Sequence, residues 1–206
     1  MSGSFIPPIA SPTASLIRDY LSKWQTLEKY VFQEKSLGLL FQEFCPRSDD
    51  ISHVLLKVSA LNDFYSTNIY DTHAVSKHIV DSNVDERIAL GDPSVVNQIA
   101  LVSVGSKQRN FYSFASKYCN HHNPEAFPIF DSYVEKMLTH FQECNAFARF
   151  TRQELKQYSR FVGVIGAFKN HYALDRFSLR EIDIYLWLAG KDRFARHRKK
   201  SVTETA

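Results

Sequence analysis

Apolar residues recur along most of this chain at intervals of three and four, the period of a helix with one buried face. Over residues 13–35, Leu16, Tyr20, Trp24, Leu27, Tyr30 and Val31 follow one face and predict a long amphipathic helix. A short apolar helix over 37–45 stops at Pro46. Ser48, Asp49 and Asp50 offer N-caps for a helix over 51–65 that is apolar enough to be central. Another helix is predicted over 71–79, and Ser82-Asn83-Val84-Asp85 opens a brief one. Asp92-Pro93 sets an acid at an N-cap and proline at the first helical position, predicting a helix over 94–104 that runs into Gly105-Ser106-Lys107. Thr151-Arg152-Gln153-Glu154 and Ser178-Leu179-Arg180-Glu181 are capping boxes, opening helices that run to about Tyr172 and to Ala189. The chain shows no internal repeat, heptad or alternating strand pattern. The reading is an all-α, compact multi-helix fold.

The stretch 111–138 combines the most signals. Phe111, Phe114, Ala115, Tyr118 and Cys119 form one buried stripe, and Asn123-Pro124 ends that helix because proline cannot continue the ladder. The next helix starts with two possible caps. In one, Ser132 and Glu135 form a capping box and leave the Asp131 carboxylate at the mouth of the helix; in the other, Asp131 is itself the N-cap.

Composition changes this picture little. With 206 residues and only seven glycines, the chain suits one helical domain over 13–195, with a flexible Pro/Ser arm over 1–12 and a basic disordered tail over 196–206. The net charge of +3 is small, but Lys191, Arg193, Arg196, Arg198, Lys199 and Lys200 crowd one end, as in a polyanion-binding segment. Cys45, Cys119 and Cys144 lack metal-ligand spacing and read as small buried hydrophobes of a reducing cytoplasm. Residues 1–14, with no basic start and an apolar run broken by Pro7, Pro8 and Pro12, do not read as a signal peptide, and no window approaches the roughly 20 apolar residues of a membrane span. The expectation is a cytoplasmic monomer without a metal or other cofactor and without a membrane partner.

Two stretches resemble one family. Residues 54–68, VLLKVSALNDFYSTN, are similar to the helix of helix-hairpin-helix DNA glycosylases that reads as an apolar run, Ser-Ala, a polar turn, an acid and an asparagine. The match falls on Ser59, Ala60, Leu61, Asn62, Asp63 and Asn68. Val104-Gly105-Ser106-Lys107 looks like the end of that family's hairpin, and Pro128-Ile129-Phe130-Asp131-Ser132-Tyr133-Val134 like the segment holding its catalytic aspartate. The chain departs from the pattern at Leu101-Val102-Ser103, where the hairpin has Leu-Pro-Gly. The interval from Lys107 to Asp131 is also longer than the family's, and no four-cysteine cluster motif follows.

The resemblance implies a double-stranded DNA partner and a monofunctional glycosylase that flips out a damaged or modified base and hydrolyses its N-glycosidic bond. An ionised carboxylate beside C1′ stabilises the cationic sugar, and Asp131 is the residue in that place. An amine nucleophile would add a Schiff base, with Lys107 and Lys117 as candidates. Leu61 or Asn62 would fill the gap in the duplex, while Tyr65, Phe111, Tyr112 and Tyr118 could stack on the base. Ser106, Lys107, Arg109 and the terminal cluster from Lys191 to Lys200 would contact phosphates. His121 and His122 read as caps on helix-end carbonyls. A divergent pocket would suit modified bases such as those of phage genomes, which implies a defence role. The competing readings are a catalytically silent helical module that binds DNA or protein, and a helical scaffold unrelated to nucleic acid.

Overall fold

The computed structural model describes residues 9–200, with side chains through 195. Most of the expected arm, over 1–8, and the side chains of Arg196, Arg198, Lys199 and Lys200 therefore lie outside the described residues. The fold is mostly helical, with ten α-helices and one small two-stranded sheet among the described residues. None of these helices is long and apolar enough to cross a membrane.

The expected first helix is two helices. Helix α1 (Ala14–Gln25) ends where Thr26 Oγ1 donates to the Lys23 carbonyl at 2.7 Å, and α2 (Glu28–Gly38) restarts after Leu27. A side-chain hydroxyl that takes a helix carbonyl competes with the next turn, so the chain bends there. The segment expected as a separate short helix continues α2 as a π-helical turn, Leu39–Phe44, closed by the Cys45 N–H on the Leu40 carbonyl at 2.8 Å. Helix α3 (Ile51–Tyr65) starts on Asp50, one of the three caps offered, whose Oδ1 accepts from the N–H groups of Ser52 and His53. Helices α4 (Thr72–Asp81), α5 (Asp85–Ala89) and α6 (Ser94–Ala100) follow.

The main departure comes next. The helix expected over 94–104 stops at Ala100, and Leu101–Val104 forms strand β1, antiparallel to β2 (Lys107–Asn110). Val102 is buried between exposed Leu101 and Ser103, a short alternation that fits a pleated strand with one face on the core. Gly105 takes a φ of +58° at the first position of the two-residue turn, where a side chain would be strained. The stretch resembling a glycosylase hairpin is thus a β-hairpin between α6 and α7 (Tyr112–His122).

Helices α8 (Ser132–Asn145), α9 (Tyr158–His171) and α10 (Leu179–Lys200) complete the fold. Both distal capping boxes form. Thr151 and Glu154 exchange hydrogen bonds, but they open only a 3-10 turn, Glu154–Lys156, ahead of α9. Ser178 and Glu181 do the same and open α10, which runs past Ala189 and carries the start of the basic tail. One connected apolar core reaches from Ile17 in α1 to Ala189 in α10. Cys45 and Cys119 are buried, whereas Cys144 is exposed beside His140, contrary to expectation.

Helix α10 packs on α1 and α8, and Gly190 sets the second contact. A Cβ there would lie 2.8 Å from Tyr133 Cβ and 3.0 Å from the Tyr133 carbonyl oxygen. Replacing it requires two packed helices to separate, because that backbone cannot yield as a flexible side-chain tip would. Gly190→Ala should lower the unfolding free energy by about 1–3 kcal/mol in urea titration. An unchanged midpoint would mean that α8 and α10 do not approach this closely.

Candidate active site

A cavity of about 270 Å3 opens between α2, the end of α3, α7, the start of α8 and α10. Two helices line it with residues at helical spacing. Helix α2 contributes Tyr30, Gln33, Glu34 and Leu37, and α10 contributes Arg180, Asp183, Ile184 and Trp187. Trp24 closes one side, stacked on Tyr30 with ring centroids 5.8 Å apart and edge-on to Trp187 at 6.1 Å. Lys117, Tyr65 and Asp131 complete the polar lining.

The loop that delivers Asp131 is fixed through its backbone. The Phe127 carbonyl accepts from Asn120 Nδ2 at 2.7 Å, that of Pro128 from the Tyr158 hydroxyl at 2.6 Å, and that of Phe130 from Ser113 Oγ at 3.0 Å. The Ile129 N–H donates to Asp183 Oδ2 at 2.9 Å and the Phe130 N–H to Ser116 Oγ at 3.0 Å. Asp131 is the N-cap of α8, with Oδ1 accepting from the Tyr133 N–H at 2.7 Å. The Ser132–Glu135 capping box does not form: Glu135 pairs with Lys156 at 3.2 Å instead. Asp131 therefore caps with one oxygen while lining the cavity.

Lys117 is buried beside it. Its ammonium donates to Ser113 Oγ at 2.5 Å and lies 5.2 Å from the centre of the Tyr65 ring. Burial lowers its pKa to about 8, with the Asp131 carboxylate opposing the shift. Near physiological pH such an amine is neutral and nucleophilic in a minor fraction, on the order of a tenth, far more than an ordinary lysine. Asp183 is also buried, and desolvation raises its carboxyl to about 7 despite the Ile129 hydrogen bond. Its Oδ1 has no hydrogen-bond partner among the described residues. Arg180 is held by Glu34, with Nε 2.5 Å from Oε1, and its guanidinium lies over the Trp24 ring.

Of the residues singled out in the sequence, Asp131, Lys117 and Tyr65 meet in this cavity. Tyr65 reaches it from the end of α3, its hydroxyl 3.0 Å from His121 Nε2. The two histidine rings do not cap helix-end carbonyls: Gln42 Nε2 donates to both the His121 and His122 carbonyls. His122 instead meets Ser48 Oγ and the buried Lys57 ammonium, at 3.3 and 3.1 Å. Burial lowers both imidazoles to about 3, so they stay neutral.

The other expected site residues fall elsewhere. Leu61 is fully buried in the core, because α3 continues unbroken through Ser59-Ala60 and sets it on a stripe with Val54 and Val58. Asn62 holds the following loop, accepting from the Ile69 N–H and Thr67 Oγ1, both at 2.9 Å. Neither is placed as a wedge. Phe111 packs against the core, Tyr112 donates to the Leu155 carbonyl at 2.8 Å, and Tyr118 shares a hydrogen bond with Ser48 at 2.8 Å; none lines the cavity. Lys107, with Ser106 and Arg109, is exposed on the β-hairpin, away from Asp131. Lys191 is not a free basic residue: it donates to the Tyr30 hydroxyl at 2.7 Å and covers the Tyr30 and Trp187 rings. Arg193 is half-buried on α10.

Sequence reasoning missed Glu34, Arg180, Asp183, Trp24, Tyr30 and Trp187 as site residues. One signal was available for Asp183, a lone acid in the apolar run of α10, where an ionisable group rarely sits without a purpose.

The sequence matches the family model described as the HI_0787_N N-terminal domain over residues 16–126. A protein of Haemophilus influenzae (strain ATCC 51907 / DSM 11121 / KW20 / Rd), described as an uncharacterized protein, is 42% identical over 173 residues, 81% of this chain and 83% of that protein. No solved structure matches. The matched segment carries Glu34, Tyr65 and Lys117 but ends just before the Phe127–Asp131 loop. Its edge is not an edge of the fold, since the core is continuous across it.

The buried acid gives a pH signature. Asp183 holds its proton up to about 7 when folded, against an ordinary value of 3.8, so the folded chain binds the extra proton in that window. The contribution of Asp183 to stability must then fall as pH rises from about 4 to 7. Asp183→Asn removes the effect, so its stability relative to wild type should climb from pH 4 to 7 and level off above. A pH-independent difference in urea midpoints would show that Asp183 is not buried as a charge.

Proposed function

The chain belongs to the HI_0787_N family, and for this member we propose excision of a damaged or modified base from DNA, with Lys117 and Asp131 as the reacting pair. The observation that carries this reading is their meeting in one aromatic-walled cavity. A base extruded from the duplex needs flat apolar walls to replace its lost stacking, and Trp24, Tyr30 and Tyr65 supply them.

The expected division of labour shifts from water to the amine. Neutral Lys117 Nζ attacks C1′ as the C1′–N bond breaks; the bonding pair leaves with the base, which takes up a proton. The attacking nitrogen passes a proton to the ring oxygen, which leaves C1′ with its bonding pair; the iminium that remains is released from Lys117 by water. The Asp131 carboxylate balances the positive charge that builds on the sugar. Its capping bond to Tyr133 fixes the side chain without consuming the charge. Lys107 and Arg109, exposed on the hairpin, supply phosphate contacts.

A second reading, a catalytically silent DNA- or protein-binding module, draws on the capping role of Asp131. It requires that neither base release nor a covalent adduct be found.

Incubation with genomic DNAs of differing modification, followed by mass spectrometry of released bases, identifies the substrate. Asp131→Asn, which can still cap α8, should cut release by about a hundredfold or more. Release at the wild-type rate would make Asp131 a cap and nothing else.

Borohydride should trap the protein on DNA bearing an abasic site. The adduct should be lost in Lys117→Gln and kept in Lys107→Ala. Its formation should rise about tenfold per pH unit up to about 8 and then level, as Lys117 loses its proton. Base release without any adduct would return the mechanism to Asp131 and water.

Replacing Lys107 and Arg109 together by alanine should weaken DNA binding about equally for all sequences and flatten its salt dependence. Unchanged binding would place the phosphate contacts elsewhere.

A further inference from the structure

The cavity holds one feature the excision chemistry does not use. Asp183 Oδ2 is fixed by the Ile129 N–H, which sets the orientation of the carboxyl, while Oδ1 is buried without a partner. A buried oxygen left unpaired is costly unless a ligand completes it. Three residues before it on α10, and so on the same face, Arg180 is held by Glu34 through Nε and lies over Trp24. Its Nη groups have no hydrogen-bond partner among the described residues. Asp183 and Arg180, an acceptor and a donor three residues apart on α10, thus both line the aromatic cavity.

On the reading that this cavity receives an extruded base, we propose that Asp183 and Arg180 read a lactam edge, a ring N–H next to a C=O. Asp183 Oδ1 accepts the ring N–H and the Arg180 guanidinium donates to the carbonyl oxygen. Bases of the uracil, thymine, guanine and hypoxanthine type, with their oxidised or alkylated derivatives that keep this edge, are the substrate class. A methyl group on the ring nitrogen removes that donor and sets an alkyl group against Asp183 Oδ1. A site built around buried polar groups rejects such a ligand more strongly than an apolar slot rejects a misshapen one, because its own groups stay unpaired.

Both tryptophans of the chain, Trp24 and Trp187, line the cavity, so their fluorescence reports its occupancy directly. The full-length protein would be titrated at pH 8, where Asp183 is ionised, with 9-methylhypoxanthine and 1-methyluracil. The comparison ligands are 1,9-dimethylhypoxanthine and 1,3-dimethyluracil, in which a methyl group replaces the ring N–H. The expected result is saturable quenching by the first pair, with about tenfold or more weaker binding of the others. In Asp183→Asn the amide oxygen keeps the Ile129 N–H and the amide NH2 faces the cavity, so the preference should vanish.

Equal binding of the methylated ligands, a preference that survives Asp183→Asn, or no quenching by any ligand each overturns the proposal. The outcome is separable from that of the excision chemistry. An adduct on abasic DNA without lactam preference leaves the excision reading standing and removes this one. Lactam preference with neither base release nor an adduct does the reverse.

Discussion

The backbone of the short loop Phe127–Asp131 has neither helix nor strand to satisfy it, yet four of its residues are buried. Unpaired amides and carbonyls in that position would cost more than the loop's apolar side chains return. The structure resolves this with side chains: Ser113, Ser116 and Asn120 from one face of α7, Tyr158 from α9 and Asp183 from α10. Three helices are thereby tied to one loop, and the same bonds fix where Asp131 emerges. Remove this pinning and the core loses its centre and the cavity its carboxylate.

The arrangement also explains why the ionisable groups of the cavity sit so far from their ordinary behaviour. Lys117 is buried because Ser113 and Ser116, its neighbours on α7, must face the loop. Asp183 is buried because the Ile129 N–H needs an acceptor. Each charge is thus placed by a structural duty and then perturbed by the desolvation that duty imposes, lysine downward and aspartate upward. Arg180 escapes the same fate through Glu34, contributed by the opposite wall. Opposite charges across a partly dry cavity hold α2 and α10 in register while leaving polar atoms directed inward.

Local signals were legible wherever a few neighbouring residues decide the outcome. Asp50 caps its helix, Asn123-Pro124 ends α7, and the Ser178–Glu181 box forms as written. Signals failed where two local outcomes were close in energy and a distant contact chose between them. The Ser132–Glu135 box loses Glu135 to Lys156, which lies on the segment before α9. The helical period over 94–104 breaks because Val102 finds a buried place on the core only as part of a strand. The motif around Ser59-Ala60 resembled a helix followed by a protruding loop, but the unbroken apolar stripe of α3 turns Leu61 inward.

From sequence alone the chain determined its helical character, the approximate ends of most helices, and Asp131, Lys117 and Tyr65 as residues worth attention. Those properties depend on periodicity, caps and residue chemistry, which act over a handful of positions. Only the tertiary structure decided that these three share a cavity, that Phe111, Tyr112, Tyr118 and Lys107 do not, and that Glu34, Arg180 and Asp183 complete it. The residues of that cavity come from segments as far apart as α1 and α10, and no local pattern records which helix faces will meet. Burial decides the rest: the same lysine or aspartate is an ordinary charge on a surface and a perturbed, reactive group once packing removes its water.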